Sequence, residues 1–455
     1  MFRRAEILLL LGLLFAYHIN LRQVSSHDTY ASRFVPISVL RDSDLILDEF
    51  VPEDIKPQAG ANFFSNYFFY ARGHFYDSHP PIGPLLALPV YALPVWIGTP
   101  QNPELVANLF SKIAASLMAA LSALAVFAGS RRFLRATDAP SQTRIAVLAA
   151  IAYGAGTSIW STASLAMWTH TPAVLGYALA IWGLTAGAPV VAGAAAAAAV
   201  VARPATAGAA VLLTMYLAHR AFFRDDRPRN DLVRFSVSAA IVGLTGVAYN
   251  YWLFGNVVGG APFRTEYWVD ELGSAGMFSG SILVGMAGLS VSPSRGILIF
   301  SPIVFVAIVG AVKAWKTSPA SDAVLLARYS SLAALAIFLT YSKFIVWWGG
   351  HGYGPRYLTD AMPFLGLLFA AGFAALPRAR QLARPLQIAA ATLLIYSVLV
   401  QAIGAFCWPS AWTLNDNPPY RYRLWDWEES QIEMCIRSGP RFDPAAQRLF
   451  ERLGF

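Results

Sequence analysis

What most constrains this 455-residue chain is a series of apolar runs, each long enough to cross the roughly 30 Å hydrocarbon core of a bilayer. They lie near 5–21, 105–129, 144–162, 171–187, 235–254, 297–315, 323–346, 360–376 and 385–406. A longer stretch, 188–218, is broken by "ARPA" at 202–205. Proline ends helices and arginine is costly at mid-membrane, so it divides into two spans that meet at the surface around Arg203. The expectation is an all-α polytopic membrane protein with about eleven transmembrane helices. Composition agrees: only 13% of residues are charged and mean hydropathy is +0.49, against about 25% charged in soluble domains.

The start, "MFRRAEILLLLGLLFAYHINLR", has a basic lead and an apolar core without a small-x-small cleavage site, and reads as an uncleaved first span. With the N-terminus cytoplasmic, the inner loops receive Arg3 and Arg4, the cluster 131–135 with Arg144, the arginines of 220–234, Lys313, Lys316 and Arg328, and Arg378, Arg380 and Arg384. Every short basic cluster then falls on one side, as the positive-inside rule requires. The net charge of +8 is thus spread over the inner loops, and a nucleic-acid partner is not indicated. This divides the chain into a transmembrane domain, 1–406, and a small external C-terminal cap, 407–455. The first external loop, 22–104, carries juxtamembrane helices. Cys407 and Cys435 are too few for a disulfide framework, although an oxidising outer compartment would permit them to pair.

The outer loops hold the chemically distinctive residues. "HDTYASRFVPISVLRDSDLILDEF" reads as a short surface helix over about 29–41, irregular at Pro36, with Asp28 at its start as an N-cap, a catalytic group, or both. In "FYDSHPPIGPLLALPVYALPVWIG", His79 precedes two prolines and a Pro-interrupted apolar segment that suits a surface or re-entrant position better than a span. His79 is either an interfacial side chain or, with Asp77 near it, a phosphate or acid–base group. His170 falls at an outer helix end. "WWGGHGYGPRYLTDAMPF" carries four glycines around His351, which let a backbone approach a ligand. Arg356 follows, a permanently charged fork suited to phosphate; the alternative is a tight turn with a snorkelling arginine. Arg203 poses the same choice.

Transfer of a sugar from a polyprenyl phosphate to a hydroxyl would use such a set. A carboxylate takes the proton of the attacking hydroxyl. The leaving phosphate is already a stable anion, so no second carboxylic acid is needed, unlike glycoside hydrolysis. Cations stabilise it, and oily helices hold the prenyl tail.

The order of these motifs resembles the GT-C superfamily of polyprenyl-phosphate-sugar glycosyltransferases, and is most similar to the protein O-mannosyltransferase and lipid A aminoarabinose transferase branch. The matching residues are Asp28-Thr29, the helix after them, Asp42-Ser43-Asp44, His79-Pro80-Pro81, Arg203-Pro204 and Pro355-Arg356-Tyr357. The resemblance implies a GT-C-like architecture in a bacterial inner membrane, with an external active site. It implies an inverting transferase with Asp28 as general base, and His79, Arg203 and Arg356 near the donor phosphate. The partners it implies are a polyprenyl-phosphate sugar donor, membrane lipids, and a glycan, lipid or protein hydroxyl as acceptor. Asp48 and Glu49 form a rival carboxylate pair. Asp28 is favoured because it lies close to the first span, and Asp48, Glu49, His170 and His351 are assigned to an acceptor or secondary site. The family's Asp-Glu pair is Asp-Thr here, which leaves a divalent metal cofactor open. The short tail leaves the acceptor class open. A transporter or flippase for a lipid-linked sugar, and a membrane oligosaccharide ligase or polymerase, are the competing readings. The absence of an internal repeat weighs against the first, and the position of Asp28 and His-Pro-Pro in the first loop against the second.

Overall fold

The structure is a computed structural model that describes residues 4–24, 27–52, 68–98, 103–224, 229–263, 265–266, 275–318, 321–376, 383–408, 412 and 423–442. Arg3, Arg227, Arg378 and Arg380, and much of the expected cap (409–411, 413–422 and 443–455), lie outside them.

Helices occupy the expected spans. They are α1 (Arg4–His18), and, after the first loop, α5 (Pro103–Ala136), α6 (Gln142–Gly154), α7 (His170–Ala186), α8 (Pro189–Ala202), α9 (Ala207–Phe223) and α10 (Asn230–Phe254). The later part adds α11 (Ile282–Val291), α12 (Ile297–Phe300), α13 (Val304–Lys316), α14 (Asp322–Ser342), α15 (Met362–Ala375) and α16 (Ala383–Cys407). Five segments are long and apolar enough to cross a membrane by themselves: Pro103–Ala136, Asn230–Phe254, Asp322–Ser342, Arg356–Ala375 and Ala383–Cys407. The molecule is an integral, multi-pass membrane protein. Its outer side chains say the same, because Val233, Val237, Ile241, Leu244 and Tyr251 of α10 are all exposed. A helix with that surface is stable only where the solvent is lipid.

Packing between the helices relies on small residues, since apolar burial drives little association inside a bilayer. The alanine-rich α8 packs against both α7 and α10. A Cβ at Gly193 would overlap the Phe235 carbonyl, so the α8–α10 crossing is backbone against side-chain-free backbone. At the C-terminal end of α16, Asn20 Nδ2 donates to the Ala405 carbonyl at 3.0 Å and Arg22 Nη1 to that of Phe406 at 3.2 Å. Those helix-end carbonyls lack intrahelical partners, so this contact caps α16 and ties the end of the first span to it.

The long loop after α1 has a core of its own. Its expected surface helix is in three pieces: α2 (His27–Tyr30), a 3₁₀ turn (Ala31–Arg33) and α3 (Val35–Asp42), which Pro36 starts. Ser43 closes α3 in the left-handed conformation (φ 61°), and Asp44 Oδ1 accepts from Ser38 Oγ at 2.6 Å and from Ile46 N–H at 3.0 Å. Phe34 stacks on Phe50 with ring centroids 4.6 Å apart. Arg33 pairs with Glu104 on α5 at 3.0 Å, and its carbonyl accepts from Tyr91 OH at 3.1 Å. The loop is thereby fixed to α5 and to α4 (Ile82–Ile97), the Pro-interrupted segment.

A two-stranded antiparallel hairpin is also present, which the sequence reading did not anticipate. β1 (Phe68–Ala71) pairs with β2 (His74–Asp77) in the register Phe68↔Asp77 and Ala71↔His74. Both turn residues, Arg72 (φ 55°) and Gly73 (φ 85°), have the positive φ of a type I′ turn. The hairpin delivers the chain at Asp77, two residues before His79.

Candidate active site

Asp28 lies in the first turn of α2, and Arg356 begins the 3₁₀ turn Arg356–Ala361 that leads into α15. Arg356 Nη1 donates to Asp28 Oδ2 at 3.0 Å, with the arginine side chain buried and the aspartate about one-third exposed. The guanidinium carbon sits 4.7 Å above the Trp168 ring centroid and 5.4 Å from that of Tyr357. Aromatic faces hold the flat cation in place while leaving its edge N–H groups available. Arg356 Nε and Trp168 Nε1 are both buried without a hydrogen-bond partner among the described residues. Buried donors of this kind are rare and costly, and they call for an explanation.

A second layer lies one helical turn deeper, around Asp360. Its carboxylate meets His170 Nδ1 at 2.8 Å, Tyr341 OH at 2.9 Å and Arg203 Nε at 3.3 Å. Arg203 Nη1 also donates to Thr169 Oγ1 at 3.1 Å and Nη2 to Tyr341 OH at 2.6 Å. Tyr341 stacks on Tyr357 at 4.6 Å with the rings nearly parallel. Asp360 is wholly buried, and a buried carboxylate persists only with cationic or hydrogen-bonding partners. Here it has three partners, from two helices and one helical break. Because a carboxylate only accepts, His170 Nδ1 carries a proton, and in the neutral imidazole Nε2 is then an acceptor; that nitrogen is buried and has no partner among the described residues.

The segment between α6 and α7 supplies Trp168 and Thr169. It contains a fully buried π-helical turn, Ile159–Ala163, a geometry often found at functional sites. The turn is fixed at both ends: Thr359 Oγ1 donates to Ser158 Oγ at 2.8 Å, and the buried Lys112 donates to the Ser164 carbonyl at 2.9 Å.

His79 is held by Asp77. Its backbone N–H donates to Asp77 Oδ1 at 2.9 Å, its Nδ1 is 3.4 Å from the same carboxylate, and Ser32, four residues after Asp28, donates to Asp77 Oδ2. Just beyond, Gly83 faces Pro172 and Met167, where a Cβ would come within 3.2 Å of Pro172. The His-Pro-Pro turn therefore arrives beside the start of α7 that carries His170.

The structure thus links Asp28, Arg356, Arg203 and His170 through direct contacts and common neighbours, and brings His79 alongside. The other three candidates are engaged elsewhere. Asp48 pairs with His74 at 2.7 Å and accepts the Phe75 N–H, which holds the hairpin to the loop. Glu49 pairs with Arg41, which also meets Asp42 at 2.7 Å. Those hydrogen bonds, the one to Asp42 foremost, raise the affinity of the Arg41 guanidinium for its proton. His351 contributes its carbonyl to Trp408 Nε1 at 3.2 Å. Two neighbours of this set escaped the sequence reading, Asp360 and Trp168. Arg295, between α11 and α12, is wholly buried and donates to the carbonyls of Gly350 and Gly354 at 2.5 and 2.9 Å and to that of Gly352. Among the described residues no three or more His, Cys, Asp or Glu are grouped as a metal site.

Two crystal structures of ArnT from Cupriavidus metallidurans resemble this chain. The apo-state structure aligns over 95% of this chain and 76% of its own length, with a TM-score of 0.50 at 13% identity. The structure bound to undecaprenyl phosphate aligns over 95% and 77%, with a TM-score of 0.47 at 14% identity. At such low identity the likeness to the apo structure is one of fold. No family model matches the chain, and no curated protein matches it.

Proposed function

We propose that this protein is a GT-C-type glycosyltransferase that moves a sugar from a polyprenyl-phosphate donor to a hydroxyl acceptor at the external face of the membrane, with inversion. The eleven-span topology with a cytoplasmic N-terminus and an external C-terminus is part of this reading. The observation that carries it is the Asp28–Arg356 pair: a part-exposed carboxylate beside a buried cation that still has an unused N–H.

In the proposed step, the acceptor oxygen attacks the anomeric carbon as the bond from that carbon to the phosphate oxygen breaks. The hydroxyl proton passes to Asp28, and the electron pair leaves with the phosphate, which Arg356 receives. A guanidinium has five N–H groups, so Arg356 serves Asp28 and a phosphate together. Arg203 uses three nitrogens on protein partners and keeps N–H groups to offer; it also neutralises Asp360. His79 stands close to the donor phosphate. His170 Nε2 accepts from a sugar or acceptor hydroxyl. The fold shared with apo ArnT supports the same reading at the level of architecture.

The test is mass spectrometry of surface glycans and envelope lipids from cells with and without the protein. Loss of one sugar from one acceptor is expected. Identical profiles under conditions where the protein is expressed would overturn the proposal.

A further inference from the structure

Gln431 opens the external helix α17 (Gln431–Ser438) and is wholly buried, although it belongs to the C-terminal segment. Both ends of its amide grip the glycine loop that precedes Arg356. Oε1 accepts from the Gly354 N–H at 2.7 Å, and Nε2 donates to the Gly352 carbonyl at 3.1 Å. Its backbone N–H donates to Ser294 Oγ at 3.3 Å, next to Arg295, which binds the same loop through three carbonyls. The segment ahead of α17 is tied down as well, since Ser294 Oγ donates to the Arg423 carbonyl at 3.1 Å and Ser292 Oγ to that of Leu424.

A loop with so many glycines has little side-chain packing to choose its shape, and Gly349, Gly350 and Gly354 all have positive φ (75°, 60° and 59°). Its conformation is therefore set by outside contacts: Trp408 Nε1 and the Val400 carbonyl hold His351 and Tyr353, and Arg295 and Gln431 bind the glycine carbonyls and the Gly354 N–H. The loop in turn seats the Arg356 side chain: a Cβ on Gly352 would lie 2.6 Å from Arg356 Cδ.

We infer that Gln431 is a positioning residue for Arg356. With Arg295 it fixes the glycine loop so that the guanidinium faces Asp28 and a donor phosphate, which makes the external C-terminal segment a working part of the donor site. This rests on the proposed role of Arg356 at the donor phosphate.

The experiment measures binding of undecaprenyl phosphate to the full chain in lipid nanodiscs, for wild type, Gln431→Ala, Arg356→Lys and the double variant. Gln431→Ala is expected to weaken binding about tenfold, the scale of lost buried hydrogen bonds. Because Gln431 acts through Arg356, the double variant is expected to bind no more weakly than Arg356→Lys alone. Losses that multiply, or an unchanged Gln431→Ala, overturn the inference. Wild-type protein that fails to bind overturns instead the donor assignment beneath it. If Gln431→Ala does not fold, Gln431→Met takes its place in the same cycle. It fills nearly the same volume and lacks both amide hydrogen bonds, so a comparable, again non-multiplying loss is expected.

Discussion

Arg356 Nη1 holds Asp28 Oδ2 at 3.0 Å while Nε of the same guanidinium has no partner among the described residues. In the resting protein the proposed base and the proposed phosphate ligand therefore occupy each other in part. In the proposed step a donor phosphate takes an N–H that Arg356 does not spend on Asp28, and the remaining carboxylate lone pairs receive the acceptor hydroxyl. Asp28→Asn preserves shape and still accepts a hydrogen bond from Arg356, but it takes up no proton. Turnover with a lipid-phosphate-linked sugar is expected to fall at least about 100-fold, with binding of undecaprenyl phosphate retained. Turnover close to wild type would remove Asp28 from the role of base.

Replacing Arg356 by lysine keeps the charge and discards the fork. One ammonium does not reproduce a planar group that bonds Asp28 along one edge, stacks over Trp168 and presents another N–H elsewhere. Affinity for undecaprenyl phosphate is expected to drop about tenfold, equivalent to one charge-assisted hydrogen bond. Isothermal titration in nanodiscs reads this directly. Unchanged affinity would mean that Arg356 only anchors its helix.

Asp360 neutralises Arg203 at a site with almost no solvent. Asp360→Asn fills the same volume and keeps an acceptor for His170, yet leaves the Arg203 charge uncompensated. Removing one partner of a buried ion pair costs about 3 kcal/mol or more. The variant is expected to unfold at markedly lower denaturant than wild type. Equal stability would show that the guanidinium reaches water and that Asp360 is dispensable to the scaffold.

Cys435 is wholly buried in α17, and both cysteines are free thiols in the structure. Burial pushes the Cys435 thiol above its ordinary pKa, so the neutral form prevails at neutral pH and the reactive thiolate is scarce. The direction of the shift also sets a pH dependence. Its contribution to stability is complete below the ordinary thiol pKa and declines as pH rises beyond it. Maleimide at neutral pH is expected to spare Cys435 until the protein is unfolded. Rapid labelling of native protein at residue 435 would contradict the packing of this segment.

The five membrane-length helices were legible because a bilayer demands about twenty apolar residues in sequence, and that demand is written locally. The break at Arg203-Pro204 was legible for the same reason, since both residues conflict with a continuing helix. The Asp28–Arg356 contact joins positions 328 apart, and nothing local says which two helix ends meet. Asp360 was hidden inside "PRYLTDAMPF", where it reads as the polar edge of a turn. Its signal was an acid one helical turn after an arginine at the mouth of an apolar helix. The hairpin was hidden because its Arg72-Gly73 turn is not the usual Asn-Gly. The aromatic alternation of "FFYARGHFYD" around a two-residue turn was the available sign. Trp168 carried no sign at all, since an aromatic residue near a helix end is common in membrane proteins.

Gly352 offers a way to move Arg356 without touching its chemistry. A methyl group there would stand 2.6 Å from Arg356 Cδ and 3.1 Å from its Cβ, too close for either atom to stay in place. Unlike Gly349, Gly350 and Gly354, this residue has no positive φ, so alanine suits its backbone and the strain falls on the arginine. The arginine side chain swings aside to relieve the crowding, and the charge-assisted hydrogen bond it would offer a phosphate is lost, enough to weaken undecaprenyl phosphate binding about tenfold. Gly352→Ala is therefore expected to lose donor affinity while its unfolding transition stays near that of wild type, because the buried helices are untouched. Equal loss of stability and affinity would point to collapse of the loop, and full affinity would show that the guanidinium does not depend on its seat against Gly352.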